Sequence, residues 1–305
     1  MKRLVSWGIT LALLLVVVAF SMVSWVYLAS ERRFGRSYDV PARQLEVTAD
    51  RSQLQRGAHL AQIWGCRDCH GEDLAGGVVA DVPPMLLVAP NLTSGRGGVG
   101  STYGSRDWVR AVRHGVAPDG HPLLFMPSHE YWVLSDSDLA ALMAYLEGVD
   151  PVDRVQPVSV IRGLGRFLFV TGRLPLVPAE LIDHEAPRPT APPPARSVAY
   201  GAYLATGCGG CHGFDLEGGT VPGAPPDWPA ASNLTPDTLT GIGRWTQEDF
   251  FQALRRGKRP DGSDIDSVMP WRNTAAMTDQ ELESIWMYLQ SLPPSTTVVD
   301  PPGAD

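Results

Sequence analysis

The sequence predicts a mainly α-helical protein with an N-terminal transmembrane helix followed by two tandem copies of one domain with long loops. Three observations predict this fold class. An uncharged apolar run follows the N-terminus, five sequence blocks recur in the same order, and apolar residues in both copies have helical spacing. We expect an anchor at residues 1–30, the two copies at 51–150 and 196–293, and a connector at 151–195.

The apolar run covers residues 4–28 and follows Lys2 and Arg3. About 20 helical residues suffice to cross the hydrocarbon core of a bilayer. Aromatic residues suited to the membrane interface lie towards both ends of the run: Trp7, Trp25 and Tyr27. The alternative is a cleaved signal peptide, but a signal's apolar region is shorter and ends at a small-x-small site, for which residues 28–30 are poor. We therefore expect a retained single-pass anchor.

The duplication is visible when the chain is shifted by about 142 residues against itself. Five blocks then match: 56–77 with 200–219, 90–93 with 232–235, 107–120 with 249–262, 125–127 with 268–270, and 135–148 with 278–291. Five matched blocks in one order indicate a duplicated domain of roughly 100 residues.

Each copy is predicted to contain three principal helices. A short helix precedes the first matched motif, and a second helix covers 107–114 in one copy and 249–256 in the other. The last helix begins at a capping-box pattern, Ser135-x-x-Asp138 in the first copy and Thr278-x-x-Glu281 in the second. Loops rich in Gly and Pro separate these helices, so we expect a large apolar group to complete the core of each copy.

All four cysteines lie in two Cys-x-x-Cys-His motifs: Cys66, Cys69 and His70 in the first copy, and Cys208, Cys211 and His212 in the second. This motif is the attachment signature of c-type haem, in which two thioether bonds hold the porphyrin and the histidine ligates the iron. Structural zinc and a redox dithiol are the alternatives. Neither motif has the second ligand pair that zinc needs, so we expect two covalently attached haem c groups.

A Met-Pro pair follows each motif at an equivalent position, with Met126 in the first copy and Met269 in the second. A methionine is often core filler. These two, however, recur within a stretch that otherwise reads as loop. We predict that Met126 and Met269 supply the sixth iron ligands opposite His70 and His212. The competing ligands, His121 and His129, flank Met126 only in the first copy.

Each copy resembles a class I cytochrome c domain, with an N-terminal helix, the haem motif, a methionine loop and a C-terminal helix. The details are most similar to the membrane-bound cytochrome c subunits of bacterial dehydrogenases. Shared features are the Asn-Leu-Thr segments at 91–93 and 233–235 and the Met-Pro pairs. The resemblance implies that Gly57 crosses Tyr145, and that Gly201 crosses Tyr288. Those subunits usually carry three haems, whereas this chain has two motifs.

The resemblance also implies a location, since haem is attached outside the cytoplasm in this family. We therefore expect a cell-membrane protein with both haem domains on the periplasmic side. The formal net charge of −8 disfavours nucleic acid as a partner.

We expect a non-enzymatic carrier that relays electrons in a respiratory chain. The expected donor is a quinol-oxidising complex or a dehydrogenase, of which this chain would be the electron-accepting subunit. The expected acceptor is a terminal oxidase or a small soluble cytochrome. The alternative is a di-haem redox enzyme, either a peroxidase or a sulfur-compound dehydrogenase. The loop around Met126 is apolar, whereas Asp264 and Asp266 precede Met269. We therefore expect the first haem to have the higher reduction potential.

The connector carries apolar residues at helical spacing around 160–168, with arginines among them. Two interpretations stay open, a clasp packed on one or both haem domains and an amphipathic helix lying in the membrane plane. Residues 187–194 read PRPTAPPP, which is typical of a stiff, extended spacer. We expect this spacer to hold the two haems at a defined separation.

Overall fold

The computed structural model describes residues 2–188, 190–225 and 227–296, so Pro189 of the expected spacer lies outside the described residues. Its first element is the helix α1, Lys2–Phe34. Within the described ranges, this is the one helix long and apolar enough to cross a membrane, over Val5–Phe34. The helix continues beyond the apolar run to include Arg32 and Arg33 in its last turn.

The two repeats, which we call the first repeat (51–150) and the second repeat (196–293), contain the same helices in the same order. The first has α2 (Arg51–Ile63), α3 (Cys66–His70), α4 (Ser105–His114), α5 (Ser128–Tyr131) and α6 (Asp136–Gly148). The connector contributes α7 (Gly163–Val170). The second repeat has α8 (Val198–Ala205), α9 (Gly209–His212), α10 (Gln247–Arg256), α11 (Trp271–Thr274) and α12 (Asp279–Ser291). The mainly helical fold class is thereby confirmed.

The capping-box prediction is confirmed in full only at α12. There, Thr278 Oγ1 accepts the backbone N–H of Glu281, and the Glu281 carboxylate accepts the backbone N–H of Thr278. At α6, Ser135 Oγ accepts the backbone N–H of Asp138. The Asp138 carboxylate instead accepts hydrogen bonds from Arg56 and the hydroxyl of Tyr203. The shorter acid is thus used for tertiary contacts rather than for its own helix end.

The first and last helices of each repeat cross at a glycine, as the resemblance implies. A Cβ placed on Gly57 would lie 2.0 Å from the carbonyl oxygen of Ala141 and 2.7 Å from Cβ of Tyr145. In the second repeat, a Cβ on Gly201 would lie 1.8 Å from the carbonyl oxygen of Ser284 and 2.9 Å from Cβ of Tyr288. Any side chain at either glycine would therefore force the helices apart.

A three-stranded antiparallel sheet is not among the predicted elements. Its strands are β1 (Gly77–Val82), β2 (Met85–Ala89) and β3 (Val160–Ile161), in the order β1-β2-β3. The apolar runs on either side of Pro83 and Pro84 are a hairpin signal that could have revealed the first two strands. The third strand comes from the connector and pairs Ile161 with Met85.

The connector packs as a clasp, although its main partner is the anchor helix. The rings of Phe34 in α1 and Phe169 in α7 stack with centroids 4.8 Å apart. Leu174, Leu176 and Val177 pack with Val40 and Val116 in a core that joins the connector to the first repeat. The connector therefore packs on the first repeat, as the clasp interpretation expects, and it also packs on α1, which that interpretation did not include.

The apolar core of the second repeat extends across the interface into the first repeat. Leu60, Ile63 and Ala141 of the first repeat belong to the cluster built around Tyr200 and Leu282 of the second. Polar contacts across this interface follow the pseudo-symmetry of the chain. His59 Nε2 lies 2.8 Å from the Glu281 carboxylate, and at the equivalent place the Tyr203 hydroxyl donates to Asp138 at 2.8 Å.

Candidate haem-binding sites

The first motif lies on α3, which follows the first helix of its repeat. In the second repeat, Cys208 ends a short 3-10 helix (Thr206–Cys208), and Cys211 and His212 lie on α9. Helix α3 is entered through Gly65 at φ 70° and left through Gly71 at φ 78°, both in the left-handed region that glycine tolerates. Helix α9 is left through Gly213 at φ 77°. A glycine therefore turns the chain sharply after the histidine in both repeats, and Gly65 also turns it before the first motif.

The first cysteine and the predicted methionine ligand of each site pack against the same apolar core. Cys66 and Met126 both contact the core cluster of the first repeat, around Trp108 and Leu142. Cys208 and Met269 both contact the cluster of the second repeat. The structure therefore brings the thiol and the thioether of each repeat to one core, although they are separated by about 60 residues of sequence.

The two motif histidines are oriented in the same way. His70 Nδ1 lies 2.9 Å from the carbonyl oxygen of Pro90, and His212 Nδ1 lies 2.7 Å from that of Ser232. Nδ1 must carry the proton to donate to a carbonyl, which leaves the Nε2 lone pair available to a metal. Burial lowers the pKa of both histidines. Each is therefore a neutral imidazole suited to ligate iron.

The cysteines do not have the electrostatics of a reactive dithiol. All four are free of disulfide bonds. Burial raises the pKa of the Cys66 thiol, and likewise that of Cys208, to about 12. Redox-active cysteines need a lowered thiol pKa, because the thiolate is the nucleophile. Free thiols beside an oriented neutral imidazole fit covalently attached haem c, and these side chains would hold it.

A tight loop after each histidine contains a strained leucine that the sequence analysis misses. Leu74 has φ 55° and Leu216 has φ 58°, which is uncommon for a branched side chain. The Leu74 carbonyl accepts the backbone N–H of Leu92, and the Leu216 carbonyl accepts that of Leu234. The Asp-Leu pair shared by the two copies is the sequence signal for this loop.

The Asn-Leu-Thr segments fasten the haem loop to the chain after the last helix. Asn91 Oδ1 accepts the backbone N–H of Thr93, while its Nδ2 donates to the carbonyl oxygen of Val152. In the second repeat, Asn233 makes the corresponding bonds to Thr235 and Ser295. Because Leu92 and Leu234 are tied to the leucine loops, these segments join both ends of each repeat around the motif.

The methionine loops differ in backbone conformation. Phe125, before Met126, has φ 66°, and its N–H donates to the carbonyl oxygen of Leu176 in the connector. In the second repeat, the Met269 N–H donates to the carbonyl oxygen of Asp266. Of the competing histidines, His121 is half exposed and lies 3.3 Å from Asp119. His129 lies in α5, three residues beyond Met126, and is buried over about three quarters of its side chain.

Each motif contacts the short helix that follows the methionine of the other repeat. Asn273 in α11 donates from Nδ2 to Asp68, between the cysteines of the first motif. At the pseudo-symmetric place, a Cβ on Gly210 would overlap the carboxylate of Glu130 in α5. The Trp64 ring also packs on Gly207, 3.2 Å from the position of a Cβ there. The two sites are therefore neighbours across the repeat interface.

Comparison with known families defines the class of protein. Residues 198–293 match the family model for cytochrome c, and residues 52–146 match the model for subunit III of cbb3-type cytochrome c oxidase. The chain thus contains two cytochrome c domains. It carries two covalently bound haem c groups.

Individual relatives show which kind of cytochrome c protein the chain resembles. The chain is 33% identical over 282 residues to the cytochrome c subunit of the quinone alcohol dehydrogenase of Komagataeibacter europaeus, covering 81% of this chain and 57% of the relative. It is 32% identical to the gluconate 2-dehydrogenase cytochrome c subunit of Pantoea cypripedii, covering 80% of this chain and 60% of the relative. The resemblance to cytochrome c subunits of membrane-bound dehydrogenases is confirmed.

The chain is also similar to the cytochrome subunit of a third dehydrogenase. The fructose dehydrogenase cytochrome subunit of Gluconobacter japonicus is 29% identical, over 83% of this chain and 55% of the relative. The chain thus spans little more than half the length of these relatives.

Proposed function

We propose that this chain is a membrane-tethered di-haem cytochrome c that relays electrons through two His/Met-ligated haems. The observation that carries the proposal is the placement of the two methionines: Met126 packs against the same core as Cys66, and Met269 against the same core as Cys208. Haem supplies reversible one-electron chemistry when bound. A soft thioether opposite an imidazole closes both iron faces and raises the reduction potential.

The roles of the individual residues follow from the site geometry. Cys66 and Cys69 would form the thioether bonds of the first haem, and Cys208 and Cys211 those of the second. The iron ligands would be His70 with Met126, and His212 with Met269. Pro90 and Ser232 act through their carbonyl oxygens, which fix the imidazole planes before any metal arrives.

We further propose the cellular setting. Helix α1 serves as a retained anchor, with both cytochrome domains on the periplasmic face of the cell membrane. The donor is a dehydrogenase or quinol-oxidising complex, in which the chain is the electron-accepting subunit and does no substrate chemistry itself. The acceptor is a terminal oxidase or a small cytochrome. The named subunits of alcohol, gluconate and fructose dehydrogenases support this choice of donor.

The ligand assignment predicts the spectra of the oxidised protein. Two low-spin haems with a sulfur-to-iron absorption band at the red end of the spectrum are expected, with no rapid binding of CO after reduction. Met269→Ala should remove about half of that band, because only one of two thioether ligands is lost. Met126→Ala should remove the other half. Met287→Ala, a partly exposed methionine in α12, serves as the matched control and should leave the band unchanged.

Two results would contradict the proposal. A high-spin haem that binds CO readily in the unmodified protein would favour a redox enzyme over a carrier. If the band persisted in full in both methionine variants, the ligand assignment would be wrong.

The potentials of the two haems are expected to differ, with the second haem lower. The Glu130 carboxylate lies against the second motif, and burial raises its pKa to about 7. Above that pH the carboxylate is charged, and its negative charge favours ferric over ferrous haem, so the redox titration is made above pH 7. The sequence predicts that Asp264 also lowers the potential of the second haem. This effect is reduced, because Lys258 Nζ pairs with the Asp264 carboxylate at 2.6 Å. Glu130→Gln should therefore raise the lower potential in a redox titration and move the higher one less. A larger shift of the higher wave would reverse the assignment.

A further inference from the structure

The first turn of α7 packs against the C-terminal end of the apolar segment of α1. The Tyr27 hydroxyl lies 3.7 Å from the position of a Cβ on Gly163, and the Arg166 guanidinium lies over the Tyr27 ring at 4.8 Å. Arg166 also donates to Ser30 Oγ at 2.8 Å and pairs with Glu31 at 2.6 Å. These contacts hold α7 at one height along α1.

That height corresponds to the bilayer interface. A helix advances 1.5 Å per residue, so a hydrocarbon core about 30 Å thick is crossed by about 20 residues. A span that begins at Val5 therefore leaves the core near Ser24. Tyr27 then lies within about one helical turn of the core, at the level where interfacial aromatic residues are found. The exposed first turn of α7 lies beside it.

The turn of the β1–β2 hairpin is attached to the same end of α7. The Arg162 N–H donates to the carbonyl oxygen of Pro84 at 2.9 Å, and its guanidinium donates to the carbonyl oxygens of Val82 and Met85. Gly165 lies directly against Pro84, where a Cβ would collide with the Pro84 carbonyl. The hairpin turn and the first turn of α7 therefore move as one unit.

This unit exposes apolar side chains beside the anchor. Leu164 is 51% exposed and Val82 is 41% exposed, and Pro83 between the strands is exposed as well. We call Val82, Pro83 and Leu164 the apolar platform. The acids next to it are paired with arginines, Asp81 with Arg162 at 2.7 Å and Glu31 with Arg166 at 2.6 Å. No unpaired carboxylate among the residues named here opposes contact with anionic headgroups.

We propose that the apolar platform inserts into the interface of the lipid bilayer and forms a second membrane contact beside α1. The inference rests on the membrane anchoring proposed above. Its occupant is lipid because the platform continues the surface of the anchor at interfacial depth. Since β3 joins the connector to the sheet of the first repeat, the second contact fixes the height and orientation of that repeat above the membrane. An anchor helix followed by a flexible segment would leave the height and the orientation of the first repeat free to vary.

The test uses the full-length, haem-loaded protein in vesicles of phosphatidylcholine and phosphatidylglycerol. Haem attachment consumes the four native thiols, so Leu164→Cys or Val82→Cys gives one thiol for an environment-sensitive fluorophore. Lipids with a nitroxide close to the headgroup serve as quenchers for the labels at Leu164, Val82 and Leu239, and lipids with a nitroxide at the end of the acyl chain serve as quenchers for the label at Leu15. Leu239→Cys, at an exposed apolar position in the second repeat, is the matched control, and Leu15→Cys in the middle of α1 reports anchoring.

We expect the labels at Leu164 and Val82 to be quenched at least about twice as strongly as the label at Leu239, with the label at Leu15 also quenched. Quenching at Leu15 together with Leu239-like values at both platform positions would overturn the second contact and leave the anchor standing. Without quenching at Leu15, the anchor and the platform contact would both be wrong. Opposite results at Val82 and Leu164 would also overturn the inference, because the two positions belong to one unit.

Discussion

Replacing Gly57 by alanine is expected to lower the melting temperature of the haem-loaded protein by about 6–12 °C. The added Cβ would lie 2.0 Å from the carbonyl oxygen of Ala141, which is backbone and cannot rotate away. Helices α2 and α6 must then separate, and overpacking of this kind costs about 3 kcal/mol. At roughly 2–4 °C per kcal/mol, this gives the stated shift. Thermal unfolding followed by circular dichroism and haem absorbance would measure it.

Gly148→Ala is the matched control for this substitution. Gly148 ends helix α6 of the same repeat, and a Cβ there would meet only Cδ2 of Leu54, at an ordinary 3.5 Å. Alanine also favours the helix more than glycine, so a change within about 1 kcal/mol is expected. Equal melting temperatures for the two variants would show that the crossing of α2 and α6 is not tight.

The helix crossings could be predicted because they depend on local pattern and on duplication. Gly57 and Gly201 occupy equivalent places before the two motifs, and each precedes its aromatic partner by a similar distance in the chain. The methionines were distinguished in the same way, since Met126 and Met269 recur after each motif. A duplicated domain gives two versions of the same fold in one sequence. A residue that both copies need recurs at the equivalent position, whereas one that only fills space does not.

The partners of polar residues across the repeat interface could not be predicted in this way. The capping-box pattern places Asp138 and Glu281 three residues into their helices, although only Glu281 closes the box. It does not show that His59 and Tyr203 reach them from the opposite repeat. Such pairs depend on how the two copies dock, and the sequence carries no period or spacing that reports docking. The β1–β2 hairpin is a different case, because its signal was present around Pro83 and Pro84.

Glu281→Gln is expected to destabilise the protein near neutral pH and to make its stability less sensitive to acid. The Glu281 side chain is 4% exposed. Burial alone would raise its pKa, but the bonds from His59 and Thr278 and the charge of Arg56 outweigh burial and set the pKa at about 2. An unfolded glutamate has a pKa of about 4.3. The lower pKa in the folded state therefore adds about 3 kcal/mol to the free energy of unfolding near neutral pH.

The lowered pKa of Glu281 sets the direction in which the stability of the protein changes with pH. A carboxylate with a lowered folded pKa contributes its full stability above about pH 5 and loses it as the pH falls towards 2. The gap in melting temperature between the unmodified protein and Glu281→Gln should therefore be largest near pH 6 and shrink by about half at pH 3. Glu283→Gln removes the same charge from the same helix, where the acid pairs at 2.5 Å with the largely exposed Arg196. Such surface pairs contribute at most about 1 kcal/mol, so this control should track the unmodified protein. If the two variants behaved alike across this range, Glu281 would not be the acid-sensitive contact between the repeats.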